Sequence, residues 1–495
     1  MDVPGSVTIA SPPRHEPSGG NAAPSGMSVH EAPARHLTWI DATSVVIGIV
    51  AGSGIFLTPA VVAANCGGPG EMLLAWLFGG FLCFCGALSY AELTTTYPRS
   101  GGEYLYLRRA FGARLGFLFV WARATVIHTG SIAAAAYIFG DYAARIVPLG
   151  ERASLIYAIL AATLLSALNF VGLKTGRVTQ NVLTGAKIAG LLVIIAAALL
   201  VTAGPSAAAQ DSSTAPAAST GAFGLAMVFV LYTYGGWSEA AYVAGEVHHV
   251  RRDMLRVLAA SIAGLIILYV ALNLAYLRVL GFDGMRASGA VAADTVFSIA
   301  GNTGAIAVSV LIAISALGAV HGCIFTGARN VAALGADFET LRPLGRWSPR
   351  FGTPATAIAL QGGIAFVLIL LPAIGEPSRR ALGSGFETAV DYTAPVFWTF
   401  LLLTGVSVLV LRRKDSLLER PFRVPLYPLP VILFILMCAY MLYSSLAYTR
   451  VGALVGLAVL LAGLPVSVLL RRSESDAPGN DPSAADPLFE DGGLP

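Results

Sequence analysis

Charge is scarce in this chain. Asp, Glu, Lys and Arg make up 12% of its 495 residues and hydrophobic residues 56%, with a mean hydropathy of +0.72. A soluble domain of this size needs far more charge to cover its surface, so the implied solvent is a lipid bilayer. No long polar stretch separates the two ends, which argues for one membrane domain rather than several soluble ones. No Gly-Lys dipeptide occurs, which excludes a P-loop, and no HExxH motif is present. Enzymatic and nucleotide-driven readings fall with them, and neither a cofactor nor a metal is expected. Cysteine is sparse too. Cys66, Cys83, Cys85, Cys323 and Cys438 are scattered, mostly within apolar runs, and read as small packing residues rather than a disulfide framework. No apolar run with a cleavage site opens the sequence, so no removable leader is expected.

What is abundant is apolar sequence in runs of about 20 residues, the length that crosses a hydrocarbon core. Twelve spans are predicted, at 39–63, 70–97, 114–147, 153–172, 182–203, 222–246, 257–279, 292–328, 355–373, 388–411, 427–447 and 451–470. The fold class is therefore an all-α membrane protein with 12 transmembrane helices. The runs 114–147 and 292–328 exceed one crossing and are expected to tilt or to continue beyond the bilayer. With the N-terminus inside, inner segments hold twenty-two of the 31 Lys and Arg and outer segments seven. That bias places both ends in the cytoplasm. The net charge of +3 is thus a topological signal, and no nucleic-acid binding is implied. Residues 1–36 are rich in Pro, Ser, Gly and Ala, and 473–495 are acidic and polar, so both are expected to be disordered cytoplasmic tails. Ala-rich composition and short loops suit a bacterial inner membrane.

Two spans carry an interruption. Span 1 has Gly48, Gly52, Ser53 and Gly54 in its middle with Pro59 close behind, and span 6 has Gly235-Gly236 mid-span. These are poor helix formers. Breaks at matching positions five spans apart suggest two five-helix units, and because five is odd the second is inverted relative to the first. Unwound backbone in lipid costs several kcal/mol for each unpaired group, so it persists only inside protein or beside a water-filled cavity. Free N–H groups at the start of a half-helix attract carboxylate, and free carbonyls at the end of one attract ammonium. An amino acid zwitterion carries both on one carbon. The alternative is that these glycines only let helices pack closely.

At these residues the sequence resembles the amino acid–polyamine–organocation (APC) superfamily, and within it the L-type amino acid transporter branch. The motifs are Gly52-Ser53-Gly54-Ile55-Phe56 in span 1 and Tyr232-Thr233-Tyr234-Gly235-Gly236-Trp237 in span 6. Supporting them are Tyr97-Pro98-Arg99-Ser100-Gly101-Gly102-Glu103-Tyr104 after span 2, Glu246 closing span 6, and Phe325-Thr326-Gly327-Ala328-Arg329 after span 8. The resemblance covers about 37–470. It implies a LeuT-like five-plus-five inverted repeat with discontinuous helices 1 and 6. The first repeat would be 37–203 and the second 222–411, with spans 11 and 12 in 427–472.

The resemblance implies that substrate carboxylate meets backbone at Gly52, Ser53 and Gly54, and that α-ammonium meets carbonyls near Val50, Tyr232 and Gly235. Ile55, Tyr234, Gly236, Trp237 and Ser238 complete the candidate substrate-binding set, with Tyr232 as gate. Lys187 lies in an apolar run, near the start of the predicted span 5, where a charge is costly unless paired or wet. It either snorkels to the interface or, as the resemblance implies, stands between spans 1, 5 and 8 where sodium-coupled relatives bind a cation. The second reading makes Lys187 a coupling residue and transport sodium-independent, with proton coupling as a hypothesis. Eukaryotic heterodimeric relatives carry a cysteine between spans 3 and 4; here 148–153 has none, so no disulfide-linked heavy chain is expected. His321 stands where close relatives often carry Asn, and Tyr232 where several have Phe or Trp.

Other charges have several readings. Arg123 and Asp391 are intramembrane candidates, or partly snorkelling residues, or members of a structural pair. Glu92 and Glu103, beside Arg99, Arg108 and Arg109, form a cytoplasmic gate network or a solvated cluster. Arg251-Arg252 and Arg412-Arg413-Lys414 read as topology anchors, and His128 and His321 as packed, hydrogen-bonded residues. The resulting expectation is a secondary amino acid transporter working by alternating access, favouring neutral L-amino acids by proton symport or exchange. Glu239, two residues past Trp237, keeps a cationic amino acid or polyamine exchanger as the alternative. A transporter-like amino acid sensor is a reading of another class, disfavoured by the short tails.

Overall fold

Thr38 opens the first helix with a capping box: its hydroxyl accepts from Asp41 N at 3.2 Å while the Asp41 carboxylate accepts from Thr38 N at 2.9 Å. The computed structural model describes residues 36–52, 54–99, 101–200, 222–374, 385–448 and 450–470. The tail 1–35, Ser53, the segment 473–495 and the side chain of Asp391 lie outside the described residues. From the capping box the chain runs through α1 (Trp39–Val50), α2 (Gly54–Ala64), α3 (Pro69–Thr96), a short α4 (Glu103–Phe111) and α5 (Ala113–Ala122). A π-helical turn at Arg123–Ile127 joins α5 to α6 (His128–Ile146), followed by α7 (Ala153–Val171) and α8 (Leu173–Leu200). The second half holds α9 (Ala222–Thr233), 3-10 turns at Trp237–Tyr242 and Ala244–Glu246, α10 (Val250–Ala287) and α11 (Val291–Asp337). Then come α12 (Ala355–Ile374), α13 (Gly385–Lys414), α14 (Leu429–Tyr448) and α15 (Arg450–Leu469). Among the described residues the only β pairing is a single bridge between Leu37 and Val247.

Among the described residues eight helices are long and apolar enough to cross a bilayer, and the bent pair α1 and α2 makes a ninth if counted as one span. Several differ from the sequence expectation. The second half of span 6 is wound as 3-10 turns, not as α-helix, because the chain leaves Gly236 in a left-handed conformation with φ +108°. Helix α10 runs 38 residues and bends at Gly281; α11 runs 47 and bends at Gly301, so it does continue well past the predicted 292–328. Helix α8 begins at Leu173, nine residues before the predicted start. That moves Lys187 from the edge of a span to its middle.

Helix α8 also shows how the bundle sorts its residues. Gln180, Thr184, Lys187, Leu191, Ile194 and Ala198 are buried, spaced three and four apart along one stripe. Val178, Val182, Leu192, Val193 and Leu199 face outward. The outer face is thus more apolar than the inner one, the arrangement expected when lipid is the solvent and polar side chains must find partners inside.

One end of the bundle is tied by ion pairs. Glu92 is fully buried and accepts from Arg412 Nε at 2.7 Å and Nη2 at 2.5 Å, and from Val424 N at 2.8 Å; Arg420 lies 3.4 Å away. Arg108 and Tyr104 hold Asp337, and Arg109 and Tyr97 hold Asp415. Arg329 grips Glu246 with Nε and Nη2. Glu92 and Glu103 are therefore buried, which overturns the solvated-cluster reading, and Arg412 is a structural partner rather than only a topology anchor. Burial alone would push the Asp415 carboxyl up; hydrogen bonds from Arg109 and Tyr97 outweigh it and hold the group below its ordinary range. A carboxyl depressed by folding adds stability above its unfolded pKa, about 3.9, and that stability is lost as pH falls through the folded value. Asp415→Asn should therefore melt below the wild type at neutral pH, with the gap closing on acidification, as thermal unfolding of the purified protein will show.

Candidate functional site

The two interruptions meet inside the bundle. Helix α1 stops at Val50; Ala51 N reaches back to Ile47 O at 2.9 Å and Gly52 N to Val50 O at 2.7 Å, and α2 resumes at Gly54 bent by 50°. Helix α9 stops at Thr233, where Tyr234 N bonds Val230 O and Gly235 N bonds Tyr232 O, both at 3.0 Å. A Cβ added at Gly236 would lie 3.0 Å from Ile49 Cγ2, and one at Gly54 would lie 3.2 Å from Thr233 Cγ2. Glycine at these points lets the two broken backbones approach each other.

Side chains from other helices satisfy the exposed carbonyls. The Tyr269 hydroxyl, on α10, lies 3.0 Å from Val50 O and 3.4 Å from Thr233 O, so one phenol bridges the ends of both half-helices. Ser315 on α11 donates to Ala51 O at 2.8 Å. Lys187 on α8 donates to Gly48 O at 2.7 Å. Thr58 and Thr233 join hydroxyls at 2.9 Å, tying α2 to α9. These partners remove the several kcal/mol each orphan carbonyl would cost in an apolar interior.

Beside the breaks lies a cavity of about 190 Å³, smaller than the roughly 300–1,000 Å³ of drug-sized pockets. Of the expected site residues, Val50, Gly52, Gly54, Tyr232, Gly235 and Gly236 line it. Ile55, Tyr234, Trp237 and Ser238 do not. Ile55 is buried in the core, and the Tyr234 hydroxyl donates to Trp76 O at 3.2 Å with its ring against Trp76 and Tyr269. Trp237 and Ser238 line a separate void of about 10 Å³, with Trp237 edge-on to Tyr90. The main cavity also takes in Arg123, His128, Ser131, Ile138, Glu239, Thr393 and Trp398, extending along α6 away from the ion-paired end.

Lys187 is fully buried with its Nζ on α1, and a Cβ at Gly318 of α11 would lie 3.3 Å from that nitrogen. It does not snorkel. Nor does Arg123, which is buried and donates to Glu103 at 2.8 Å and Glu239 at 3.0 Å. His321 Nδ1 pairs with Gln180 Oε1 at 2.7 Å. Sequence reasoning missed Tyr269 and Ser315; the only signal for Tyr269 was a phenol within a mostly apolar run that also holds Asn273 and Tyr276. Among the described residues no group of His, Cys, Asp and Glu could hold a metal ion.

Interrupted helices meeting at a small cavity, inside a lipid-facing bundle, are the arrangement of a membrane transporter. A family model described as amino acid permease matches residues 37–463, and this chain belongs to that family. It is 30% identical over 401 residues to the b(0,+)-type amino acid transporter 1 of Rattus norvegicus, spanning 79% of this chain and 78% of that one. It is 29% identical over 438 residues to the serine/threonine exchanger SteT of Bacillus subtilis (strain 168), spanning 88% and 96%. To the large neutral amino acids transporter small subunit 2 of Homo sapiens it is 29% identical over 449 residues, spanning 88% and 80%. These relatives are transporters and not enzymes.

Tyr269→Phe removes the donor shared by Val50 O and Thr233 O without changing volume. Leaving a buried carbonyl unsatisfied costs about 1–3 kcal/mol, so the variant should melt lower than wild type and bind substrate more weakly, measured by thermal unfolding with and without amino acid.

Proposed function

We propose that this chain is a secondary active amino acid transporter, sodium-independent, carrying neutral L-amino acids across the membrane by alternating access. The observation that carries the reading is the pair of backbone interruptions, at 50–54 and 233–236, that open onto one small cavity. The substrate carboxylate would lie at the start of α2, near Gly52, Ser53 and Gly54, and its ammonium among the carbonyls ending α1 and α9. Tyr232 lines the cavity and would close over the substrate.

Twelve crossings, arranged as inverted repeats 37–203 and 222–411 followed by 427–472, are supported by the matched breaks and by the shorter apolar helices Ala355–Leu370 and Leu454–Leu469. The Lys and Arg bias supports placing both ends in the cytoplasm, and the Ala-rich composition and short loops support a bacterial inner membrane. On that orientation the ion pairs of Glu92, Asp337, Asp415 and Glu246 close the inner side while the cavity extends outward. Lys187 occupies the place between α1, α8 and α11 with its own ammonium, which supports independence from sodium. All five cysteines are buried and none lies in 148–153, which supports transport without a disulfide-linked heavy chain.

The neutral preference rests on Glu239. It lines the cavity, yet Arg123, His128 and Thr326 already occupy its oxygens. That leaves little for a cationic side chain, the alternative substrate class. The names of the relatives span serine and threonine, large neutral amino acids, and cystine with glutamate, so a panel is the direct test.

Uptake of radiolabelled amino acids into proteoliposomes should be largest for neutral side chains and unchanged when sodium is replaced by choline. Gly236→Ala, which forces a Cβ into a left-handed conformation and against Ile49, should abolish that uptake. Lys187→Ala, which strips Gly48 O of its partner, should lower it at least ~tenfold, since a lost charged hydrogen bond is worth about 1.5–3 kcal/mol. Flux, as opposed to binding alone, separates a transporter from a sensor.

A further inference from the structure

The segment joining α13 to α14, residues 415–428, cannot stray far from the bilayer. Both flanking helices are long and apolar enough to cross it, over Thr393–Lys414 and Leu429–Ala447, so the segment starts and ends at one membrane surface. Glu92, one turn before the end of α3, pins its inner side. The carboxylate accepts from Arg412 Nε at 2.7 Å and from Val424 N at 2.8 Å, with Arg420 3.4 Å away. Arg420 also donates to Leu411 O at 2.9 Å, and the Arg412 guanidinium lies 3.6 Å from the centre of the Tyr427 ring. Pro421, Pro425 and Pro428 stiffen the chain between these ties.

The exposed side of the segment is both apolar and cationic. Leu417 is fully exposed and Leu426 is 81% exposed, with Leu418, Tyr427 and Leu429 also open. The apolar strip runs on into the outward face of α14 through Ile432, Leu436 and Tyr440. Arg413 and Arg423 are exposed and make no ion pair among the described residues. Lys414 donates to Arg109 O at 2.7 Å, a neutral carbonyl. Asp415 is taken by Arg109 and Tyr97, which leaves Glu419 as the one exposed acid between 411 and 430. The residues next to Arg413 and Arg423 are Arg412 and Val424, and both bond Glu92, so the two guanidiniums spring from backbone tied to the same carboxylate.

From this arrangement we infer that the loop between α13 and α14 binds anionic phospholipid, with head-group phosphates on Arg413 and Arg423 and the leucines at the acyl boundary. The inference needs the chain to lie in a bilayer and holds whichever amino acid it carries. A leucine open on a loop that stays at the membrane surface has lipid as its partner, and a tyrosine suits the head-group level. Guanidinium offers a planar fork of donors that matches phosphate oxygens two at a time. A zwitterionic head group brings its own cation and leaves the positive surplus unanswered; an anionic one answers it. Because the same loop supplies Val424 N and Arg420 to Glu92, lipid on its outer side braces the joint between α3 and α13.

All five native cysteines are buried, so Leu417→Cys in the full chain takes a fluorophore selectively. In vesicles mixing phosphatidylcholine with phosphatidylglycerol, bromine is placed on the acyl chains of one lipid or the other. Brominated phosphatidylglycerol should quench the label more than brominated phosphatidylcholine, with a preference of about fivefold for each cation engaged. High salt should weaken that preference, and Arg413→Gln with Arg423→Gln, which leaves Lys414 against Glu419, should abolish it. In detergent, added phosphatidylglycerol should raise the melting temperature of the wild type and not of the double variant, and inorganic phosphate should raise neither. A label left in water, equal quenching by the two lipids, a preference that survives in the double variant, or protection by inorganic phosphate alone would each overturn the lipid site. So would energy transfer between the labels of two copies in place of quenching, and all of these leave amino acid transport standing.

Discussion

The structure depends on one constraint: a peptide group that leaves the helix ladder inside a membrane must find another partner. Two helices are interrupted where no water is guaranteed, and each unwound carbonyl would cost several kcal/mol if left alone. Tyr269, Ser315 and Lys187, from three different helices, meet carbonyls of the first break, and Tyr269 reaches the second as well. The interruptions are held by the helices around them. A site made of backbone is thus also a joint between elements, and what disturbs one disturbs the other.

The same economy governs the charged residues. In the lipid-facing bundle nearly every buried ion described has a named opposite, from Glu92 with Arg412 to Glu246 with Arg329. Such pairs add little net stability, since desolvation offsets their attraction, but breaking one is expensive. They act as latches, firm when matched and costly when separated, which suits one end of a molecule that must open in turn. Around Arg123 two carboxyl groups, Glu103 and Glu239, share one guanidinium, and the buried Lys187 is answered by a carbonyl alone.

Much of this was legible in residue order. Glycines at 52, 54, 235 and 236 marked the breaks, because glycine is a weak helix former wherever it stands, and apolar runs marked the crossings. What went astray did so for tertiary reasons. Lys187 looked peripheral because Lys174, Arg177, Gln180 and Asn181 read as loop; they lie in α8, where Gln180 faces His321 and Asn181 reaches Asp41 on α1. The tail of span 6 has an apolar helical pattern, yet it winds as 3-10 turns to bring Glu239 and Glu246 to their arginines. Trp237 and Ser238 sit beside the break in sequence, but one step of the turn points them into Tyr90 and a different void.

By itself the sequence determined the solvent, the number of apolar runs, the places where helix formation fails and the excess of positive charge on one set of loops. Those follow from local chemistry, which needs no neighbours. Only the tertiary structure decided which carbonyls are answered and by whom, which side chains reach the cavity, and that two glutamates from distant segments share a single arginine. Such facts depend on distances between residues of different helices, many of them more than a hundred positions apart, and no local pattern encodes them.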